Sequence, residues 1–522
     1  MSAFGAAGDG VADDAPAINR AVAAAARKGG IVHFPPGTYR LSREVALVGA
    51  RDLALHGYGA TLELAPSSRC GFALSGENRR VHIRGLRIVG SGDVADDQCG
   101  IGTAVRPAEG TRTLGLCVAD CDIGYVTRGV YVNVSGARHG DAQRIRIEAN
   151  VIHDIVGTAS GQGYGIGLSG CWYSSVAHNH LERVQRHSIY NSVSKFTVIS
   201  GNIVRHHRDG VATGSQLSAL VTARSSYVSI TDNCLEACAD GALSIEPHET
   251  ERDHVSRGIS ILGNKFVDSP HQDIIIGTSD PASSGPLIDV VVANNVFQRP
   301  CDPTNTTEAV RVFNGKQIRI TGNHFGADAP FRAQYCYIVL SGTTDPTHTD
   351  HVTIDANSAC ASVNGGVRAG LVELGAGLCT GRQRINIGRN DLTIDGAEGA
   401  AVLFGALPVT SVALSIDQSP RFASLAYGSV VQSGIGGNRF CRLVITDQRD
   451  FLIEPPQMAA SGMVVQYDIV NERTRRPGRM RWSGGFRLAG RVSAPGPGRR
   501  RTITFYCDGR DWVEIGRSAS DL

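Results

Sequence analysis

A short phrase that ends in asparagine recurs through the chain, and it constrains the fold more than any other feature. The phrase has the form apolar-x-apolar-x-x-Asn, and successive copies end 23 to 34 residues apart. Apolar residues alternate within it, as in a strand with one buried face. Asparagine suits the following turn because it tolerates left-handed backbone. The copies end at Asn150, Asn179, Asn202, Asn233, Asn264, Asn295, Asn323, Asn357 and Asn390.

A second short strand pattern lies between successive copies of the phrase. A period of this length with several short strands per repeat predicts an all-β fold, a parallel β-helix. Its coils would stack about 4.8 Å apart, and the asparagines would form a ladder. The second strands are predicted at "GVYVNV" (129–134), "YGIGL" (164–168), "SIYNS" (188–192), "GVATGS" (210–215), "GALSI" (241–245), "DIIIG" (273–277), "AVRVF" (309–313) and "YIVLSG" (337–342).

Composition excludes several classes of protein. The 522 residues include 63 Gly and only 4 Met, which suits a turn-rich β protein. A net charge of +2 argues against a nucleic-acid partner, and no long apolar run predicts a membrane span. The start, "MSAFGAAGDG", has no visible secretory signal, so the compartment stays open. The 13 cysteines lack metal-type spacing and read as buried thiols.

The N-terminal segment "FGAAGDGVADDAPAINRAVAAAARKGGIVHFPPGTYRL" (4–41) predicts a capping helix. Asp13 or Asp14 can cap a helix with Pro16 in its first turn. This segment resembles the opening of the pectate-lyase (pectin-lyase-like) superfamily of right-handed parallel β-helix proteins. The resemblance implies a β-helix over 1–438, with a cap over about 1–45, and a polysaccharide-binding groove along one sheet. It leaves the reaction open, because this fold includes lyases, hydrolases, epimerases, transferases and phage tailspikes.

The last segment, 439–522, lacks the asparagine phrase and reads as strands joined by Pro/Gly turns. We predict a small β-sandwich-like domain there. It weakly resembles C-terminal modules of trimeric tailspikes, which implies a homotrimer and carbohydrate binding. A plain cap on the last coil is the alternative.

One candidate site lies where the second strands begin. Aligning those strands places Arg186, Asp209, Asp240 and His271 in one column. Asp209 and Asp240 would then stack about 4.8 Å apart, and the pKa of one of them would rise. Such a pair of acids is the arrangement that glycosidases use. The alternative is that Asp-Gly is ordinary turn chemistry.

A second candidate site lies where the strands end. Glu246 follows its strand in a column otherwise made of small residues, and His248 follows two residues later. "IEPHE" resembles the Asp-Pro-His-Asp/Glu motif of alginate C5-epimerases, with Glu246 in place of Asp. By that resemblance His248 would move the C5 proton of a uronate. Tyr190, His187 and Lys195 lie two coils away, at about 10 Å.

These patterns predict a carbohydrate-active enzyme that cleaves an extended poly- or oligosaccharide along the sheet of residues 130–280. Hydrolysis or intramolecular glycosyl transfer by carboxylates is slightly favoured over elimination or epimerisation, and a non-catalytic tailspike-like glycan binder is the remaining alternative. No cofactor is expected, with calcium on Asp209, Asp240 and Asp273 as a minor alternative. The predicted catalytic residues are Asp209, Asp240, Glu246, His248, Tyr190 and His187, and the predicted substrate-binding residues are Arg186, Lys195, His271 and Asp273.

Overall fold

The computed structural model shows a chain made almost wholly of short parallel strands. It describes residues 2–104, 107–134, 140–208, 217–247, 256–278, 287–299, 307–327, 335–341, 349–362, 369–374, 383–388, 390–395, 399–404, 412–416, 422–433, 439–456, 463–508 and 510–518.

The largest sheet, here called the long sheet, contains twenty-eight strands in the described part of the chain. Most coils contribute two strands to it, one on each side of the asparagine turn. The strands are Asp9–Asp13, Gly30–His33, Gly37–Leu41, Arg51–Leu64, Glu77–Val89, Arg112–Ala119, Asp122–Gly124, Ala142–Gln143, Arg146–Glu148, Val151–Ile155, Cys171–Trp172, Ser175–Ala177, His180–Val184, Lys195–Ser200, Ile203–Arg205, Ser226–Thr231, Cys234–Glu236, Ser256–Leu262, Lys265–Val267, Leu287–Ala293, Val296–Arg299, Gly315–Thr321, His324–Ala327, Thr349–Asp355, Ser358–Ser362, Gln383–Ile387, Asp391–Asp395 and Val412–Ile416.

The second sheet, here called the front sheet, receives one strand from each coil. Thirteen strands belong to it among the described residues, all paired in parallel. They are Val45–Val48, Cys70–Ser75, Cys99–Gly102, Arg128–Asn133, Tyr164–Ser169, His187–Ser192, Leu220–Ala223, Leu243–Glu246, Ile274–Ile276, Val310–Val312, Tyr335–Leu340, Ala369–Leu374 and Gly399–Phe404.

Residues of successive coils stand in register, and apolar side chains fill the space between the sheets. Ile189 pairs with Leu220, which pairs with Leu243 and then Ile274, and all four are buried. A strand with one face in the core gains about 25 cal/mol for each Å² of apolar surface buried, so the alternating pattern fixes which face turns inward. The predicted right-handed parallel β-helix is therefore confirmed.

The predicted asparagine ladder is also present. The side-chain amide of Asn202 donates to Asn233 Oδ1 (2.9 Å), and the amide of Asn233 donates to Asn264 Oδ1 (2.9 Å). Each side chain also receives the backbone N–H of the preceding rung, as at Asn202 N to Asn233 Oδ1 (2.9 Å). The same pattern runs from Asn150 to Asn390. Burying an amide without a hydrogen-bond partner costs free energy. In the ladder, each buried asparagine side chain is hydrogen-bonded to the asparagine of the next coil.

One predicted front strand is wrong. The segment 210–215 lies outside the described residues, and the place beside His187–Ser192 in the front sheet is taken by Leu220–Ala223. The register therefore puts Leu217, and not Asp209, between Arg186 and Asp240 in the column before the strands. Asp209 itself lies outside the described residues.

The N-terminal helix, Ala15–Ala26, covers the first coil as predicted. Its buried residues Ile18, Ala21 and Val22 join the main core. Asp13 Oδ1 accepts the Ala15 N–H (3.2 Å), whereas Asp14 accepts from Ala7 N (2.6 Å). Two short 3₁₀ helices span Ser2–Phe4 and Val94–Asp96. Within the described ranges, no helix has the length and apolar character needed to cross a bilayer.

The C-terminal strands continue the parallel stacking before they reverse. A six-stranded sheet and a three-stranded sheet are formed by the residues described beyond 421. Phe422 pairs in parallel with Phe440, so strands pair across the predicted boundary at 438. Arg499–Cys507 runs antiparallel to Val464–Asn471. The six are Phe422–Leu425, Arg439–Ile445, Val464–Asn471, Phe486–Arg487, Arg499–Cys507 and Trp512–Arg517, and the three are Val430–Gln432, Phe451–Glu454 and Met480–Trp482. A separate domain at 439–522 stays a prediction.

Candidate functional site

Aromatic side chains gather on the outer face of the front sheet, and we call them the front cluster: Tyr131, Tyr164, His187 and Tyr190. The rings of Tyr131 and Tyr164 lie 5.7 Å apart, and those of Tyr164 and Tyr190 lie 5.2 Å apart. His187 stacks on both Tyr164 (5.6 Å) and Tyr190 (5.3 Å). The cluster is separate from the main core between the sheets. Tyr131, Tyr164 and His187 are buried within the cluster and Tyr190 is half-buried, so Tyr190 is the ring of the cluster that a ligand outside the solenoid can contact.

Glycine in neighbouring coils makes room for these rings. A Cβ at Gly167 would collide with the Tyr131 ring, because Gly167 pairs with Tyr131 in the next coil. A Cβ at Gly165 would lie 2.6 Å from the Ser188 carbonyl oxygen. A Cβ at Gly165 would also lie 2.8 Å from Leu181 Cδ2 in the core, so Gly165 lets neighbouring coils approach closely and Gly167 leaves room for the Tyr131 ring.

Glu246 ends the strand Leu243–Glu246 on this face. It stands in register with Ala223 and, one coil further, Ser192. Burial raises the pKa of the Glu246 carboxyl, while the Ser244 hydroxyl and the charges of Arg186 and Arg224 oppose that rise. Ser244 Oγ donates to Glu246 Oε1 (3.0 Å). A carboxyl with a raised pKa keeps its proton closer to neutral pH, as a proton donor in catalysis must.

Tyr190 is linked electrostatically to Glu246. Burial raises the pKa of its phenol, the negative charge of Glu246 raises it further, and Arg224 lowers it. The phenol therefore stays protonated at neutral pH and can act as a hydrogen-bond donor. Tyr190 and Glu246 were both predicted site residues, and the fold brings them into one electrostatic group.

His187 has a fixed proton arrangement. Its Nδ1 lies 2.8 Å from the Ser218 carbonyl oxygen, which can only accept, so Nδ1 carries the hydrogen and Nε2 the lone pair. Burial lowers the pKa of His187 to about 3, so the ring stays neutral at physiological pH. His187 is therefore a neutral ring within the front cluster.

Basic side chains surround the cluster. Arg186 lies with its guanidinium carbon 5.8 Å from the Tyr164 ring, and Lys195 lies with its amine 5.1 Å from the Trp172 ring. The buried Nε atoms of Arg186 and Arg224 have no hydrogen-bond partner among the described residues. Buried guanidinium donors normally find partners, so these two are available to an acceptor that binds here.

Asp240 is held by a basic side chain among the described residues. It is 4% exposed, and its Oδ2 lies 3.2 Å from Arg208 Nε and accepts the Leu217 N–H (3.2 Å). Arg208 and Leu217 are the described residues that flank 209–216. Asp240 thus joins the two ends of that segment through a buried ion pair, an arrangement that suits a structural role better than the predicted catalytic one.

Asp273 is likewise enclosed. It is fully buried, and its Oδ2 lies 2.7 Å from Arg299 Nη1, which also donates to the His271 carbonyl oxygen (3.0 Å). A residue without exposed surface cannot contact a polysaccharide from this position. Burial raises the pKa of Asp273 to about 6, and Arg299 opposes that rise. His271 is half-buried at the edge of this ion pair, away from the front cluster.

Of the ten predicted site residues, the structure brings Glu246, Tyr190, His187 and Arg186 together, whereas Lys195 begins a long-sheet strand and lies over the Trp172 ring. Asp209 and His248 lie outside the described residues. Asp240 pairs with Arg208 and Asp273 with Arg299, and the described residues hold no group of three or more His, Cys, Asp or Glu side chains suited to a metal ion.

Sequence reasoning missed three members of the site, Tyr131, Tyr164 and Arg224. The two tyrosines lie in the predicted strands "GVYVNV" and "YGIGL", so aligning those strands with "SIYNS" could have placed them beside Tyr190 and His187. Arg224 directly follows the strand that was assigned to the wrong segment, and it could not be placed without that strand.

Comparison with known proteins gives one match to a family model and several similar solved structures. Residues 2–80 match the family model described as rhamnogalacturonase A/epimerase, pectate lyase-like. No curated protein sequence matches the chain. Solved structures similar to it include the A-module of a mannuronan C-5 epimerase from Azotobacter vinelandii, with 16% identity, 80% of this chain and 99% of that chain covered, and a TM-score of 0.44.

Two further structures are similar at the same level. The tailspike protein of Dettilon has 15% identity, covers 78% of this chain and 68% of its own, and has a TM-score of 0.48. The catalytic unit of an α-1,3-glucanase from Streptomyces thermodiastaticus has 15% identity, covers 80% and 68%, and has a TM-score of 0.46. These scores are too low to transfer an activity.

The coils, the capping helix and the outward aromatic cluster define a right-handed parallel β-helix protein with a candidate site on one sheet. Its N-terminal residues 2–80 match the pectate lyase-like family model, in agreement with the resemblance seen in that part of the sequence.

Proposed function

We propose that the protein breaks glycosidic bonds of an extended poly- or oligosaccharide that lies along the outer face of the front sheet. Glu246 is the acid that donates a proton to the leaving glycosidic oxygen. The observation that carries the proposal is the position of this partly buried carboxyl at the end of its front-sheet strand, in register with Ser192, two residues after Tyr190; its burial also raises its pKa. General acids of glycoside cleavage need such a shift to hold their proton near neutral pH.

The remaining parts of the site fit sugar binding. The half-buried ring of Tyr190 can pack against the apolar C–H face of a sugar, and Arg186 and Arg224 can donate to its oxygen atoms. Hydrolysis also needs a second carboxylate that activates water or forms a glycosyl intermediate. Asp209 remains the proposed partner, since Asp240 is held by Arg208.

Elimination or C5-epimerisation of a uronate is the second candidate reaction. The unpartnered Nε atoms of Arg186 and Arg224 favour it, because two cations can stabilise the charge that builds on a uronate carboxylate when its C5 proton leaves. His248 is the proposed base, and Tyr190 is the proposed donor on the other side of the sugar.

The test is product analysis on a panel of polysaccharides. Hydrolysis gives new reducing ends without ultraviolet absorbance, elimination gives a 4,5-unsaturated uronate that absorbs, and intramolecular transfer gives anhydro products one water lighter by mass spectrometry. Glu246→Gln should lower kcat by about 10²- to 10⁴-fold while the protein stays folded. Glu236→Gln, on the long sheet beside Arg205, is the matched control and should leave kcat unchanged. Unchanged turnover in Glu246→Gln would remove Glu246 from the mechanism.

A non-catalytic glycan-binding role is the third candidate. Binding of a glycan without any product, equal in wild type and Glu246→Gln, would favour it over both reactions. A homotrimer is expected in particular for this non-catalytic role. Light scattering of the purified protein measures the oligomeric state directly.

A further inference from the structure

Charge is distributed unevenly along the chain. Residues 439–522 hold 15 of the 51 basic residues and 9 of the 49 acidic residues, so this segment carries +6 and the rest of the chain carries −4. The near-neutral total therefore hides a basic C-terminal region. A local excess of one sign attracts partners of the opposite sign even where the whole protein is balanced.

The antiparallel strand pair gathers much of this charge at one end of the six-stranded sheet. Asn471 pairs with Arg499, and Val470 pairs with Arg500. Asn471 also holds both adjoining segments: its Oδ1 accepts the Arg473 N–H (3.2 Å), and its Nδ2 donates to the Pro495 carbonyl oxygen (3.1 Å). We call this place the basic end: Arg473, Arg475, Arg476, Arg499 and Arg500.

Most of these guanidinium groups have no acidic partner. Arg475, Arg476, Arg499 and Arg500 are exposed, and no ion pair within the described residues includes them. Three acids lie in the adjoining segments. Asp447 is bonded to Arg449, Asp450 accepts the Arg479 N–H (2.7 Å), and Glu472 is exposed. These three acids do not balance the five arginines, so the basic end has a net positive charge.

The opposite end of the same sheet is balanced. There Arg487 pairs with Asp511, and Arg517 pairs with Glu514, with Asp508 and Arg510 nearby in the chain. The contrast shows that positive charge is concentrated at one end and is not a general property of this region.

We infer that the basic end binds an anionic polysaccharide, one that carries carboxylate or sulfate groups along its chain. The guanidinium fork matches such groups with two parallel hydrogen bonds, and several forks side by side match a polymer with repeated charges. The choice of a glycan rests on the proposed function: a second contact on the same chain would raise the effective concentration of polymer at the front cluster. The segments 472–479 and 493–500 contain no aromatic residue on which nucleic-acid bases could stack.

The test is binding by the full-length protein to three probes: polygalacturonate, neutral dextran and a 20-base-pair DNA duplex. Wild type should bind polygalacturonate and not dextran, and more weakly as salt rises. Arg499→Gln/Arg500→Gln should weaken that binding at least tenfold, while Arg487→Gln/Arg510→Gln, with the same charge change at the balanced end, should stay within twofold. Equal loss in both variants, no loss in the first, or tighter binding to the duplex would overturn the inference.

Glu246→Gln separates this inference from the proposed function. It should keep full binding to polygalacturonate, because Glu246 lies on the front sheet and not at the basic end. If Glu246→Gln keeps its turnover while Arg499→Gln/Arg500→Gln loses binding, the proposed function fails and the basic end stands. If Glu246→Gln loses turnover while the arginine variant binds normally, the reverse holds.

Discussion

The asparagine turn and the outer face of the front sheet differ in how their residues vary from coil to coil. At the asparagine turn, coil after coil uses the same residue with the same bonds, from Asn150 to Asn390. On the outer face of the front sheet, the column of Ser192, Ala223 and Glu246 changes from two small uncharged residues to a carboxyl. Repetition at one edge serves the fold, because each rung satisfies the next. Variation at the other edge creates a single place with its own chemistry.

The largest loss of stability is expected when one asparagine of the ladder is replaced. Asn233→Ala deletes both donors and the acceptor of one side chain and leaves Asn202 N, the Asn202 amide and the Ile199 carbonyl oxygen without partners. We expect a loss of about 4 kcal/mol in unfolding free energy, measured by urea denaturation with hydrogen exchange of the neighbouring coils.

Asn390→Ala is the matched control for that measurement. Asn390 accepts from Asn357 in the same way and donates to the carbonyl oxygens of Ile354 and Gly388, but these bonds are only partly buried, so water can replace them. Its cost should be about half as large. Equal costs at both positions would mean that the ladder does not act as a chain of dependent rungs.

Asp240→Asn tests whether this ion-paired acid stabilises the fold or takes part in catalysis. The change leaves the buried Arg208 guanidinium without its counter-charge, and we expect a loss of about 3 kcal/mol in stability. The kcat of the folded protein should change by less than about tenfold. A variant of normal stability whose kcat falls about a thousandfold would instead return Asp240 to the catalytic site.

Tyr190→Phe sharpens the description of the front cluster. The substitution keeps the ring against Tyr164 and removes the hydroxyl near Glu246. We expect kcat/KM to fall about tenfold, which corresponds to about 1.4 kcal/mol, with Tyr131→Phe as the control. A fall of about a thousandfold would indicate that Tyr190 transfers a proton, and would favour elimination or epimerisation over hydrolysis.

The smallest expected effect concerns pH and the side of the coil away from the front sheet. His153 Nε2 lies 2.9 Å from Asp122 and Nδ1 lies 2.7 Å from Asp154, and the Asp122 hydrogen bond raises the pKa of His153 above its usual 6.5. Its stabilisation is therefore fully present below about pH 6.5 and is lost as pH rises through the higher folded pKa.

Because the Asp122 side chain is 43% exposed, the effect should stay below about 1 kcal/mol. Urea midpoints at pH 6 and pH 9 measure it. His153→Gln should remove the difference between the two midpoints that this histidine contributes. An unchanged difference would assign the pH dependence to other groups.

The sequence was informative wherever one coil copies another. The asparagine phrase predicted the solenoid, and the second strands predicted most of the front sheet, because a buried face demands alternation and a repeated turn demands a residue that tolerates it. Tyr190, His187 and Glu246 were found by placing such strands side by side.

Prediction failed where one coil is longer than its neighbours. "GVATGS" resembles the small-residue strands "YGIGL" and "GALSI", so the front strand was placed there and not at Leu220–Ala223. That shift alone created the stacked pair of Asp209 and Asp240. The partners of Asp240 and Asp273 could not be predicted, because Arg299 ends a long-sheet strand, Arg208 lies three residues after one, and neither follows the repeat of the acids.

The asparagine ladder fixes the spacing between neighbouring coils, but it does not determine which coils become neighbours. Any asparagine of the ladder would bond equally well to a rung other than its own, so a coil skipped during folding leaves every remaining amide satisfied. Correct order must come from unequal coil lengths and from contacts used once, such as Arg299 with Asp273. Refolding from denaturant should therefore pass through compact, well-bonded chains with one coil looped out, and weakening such a single-use contact should slow the recovery of native protein.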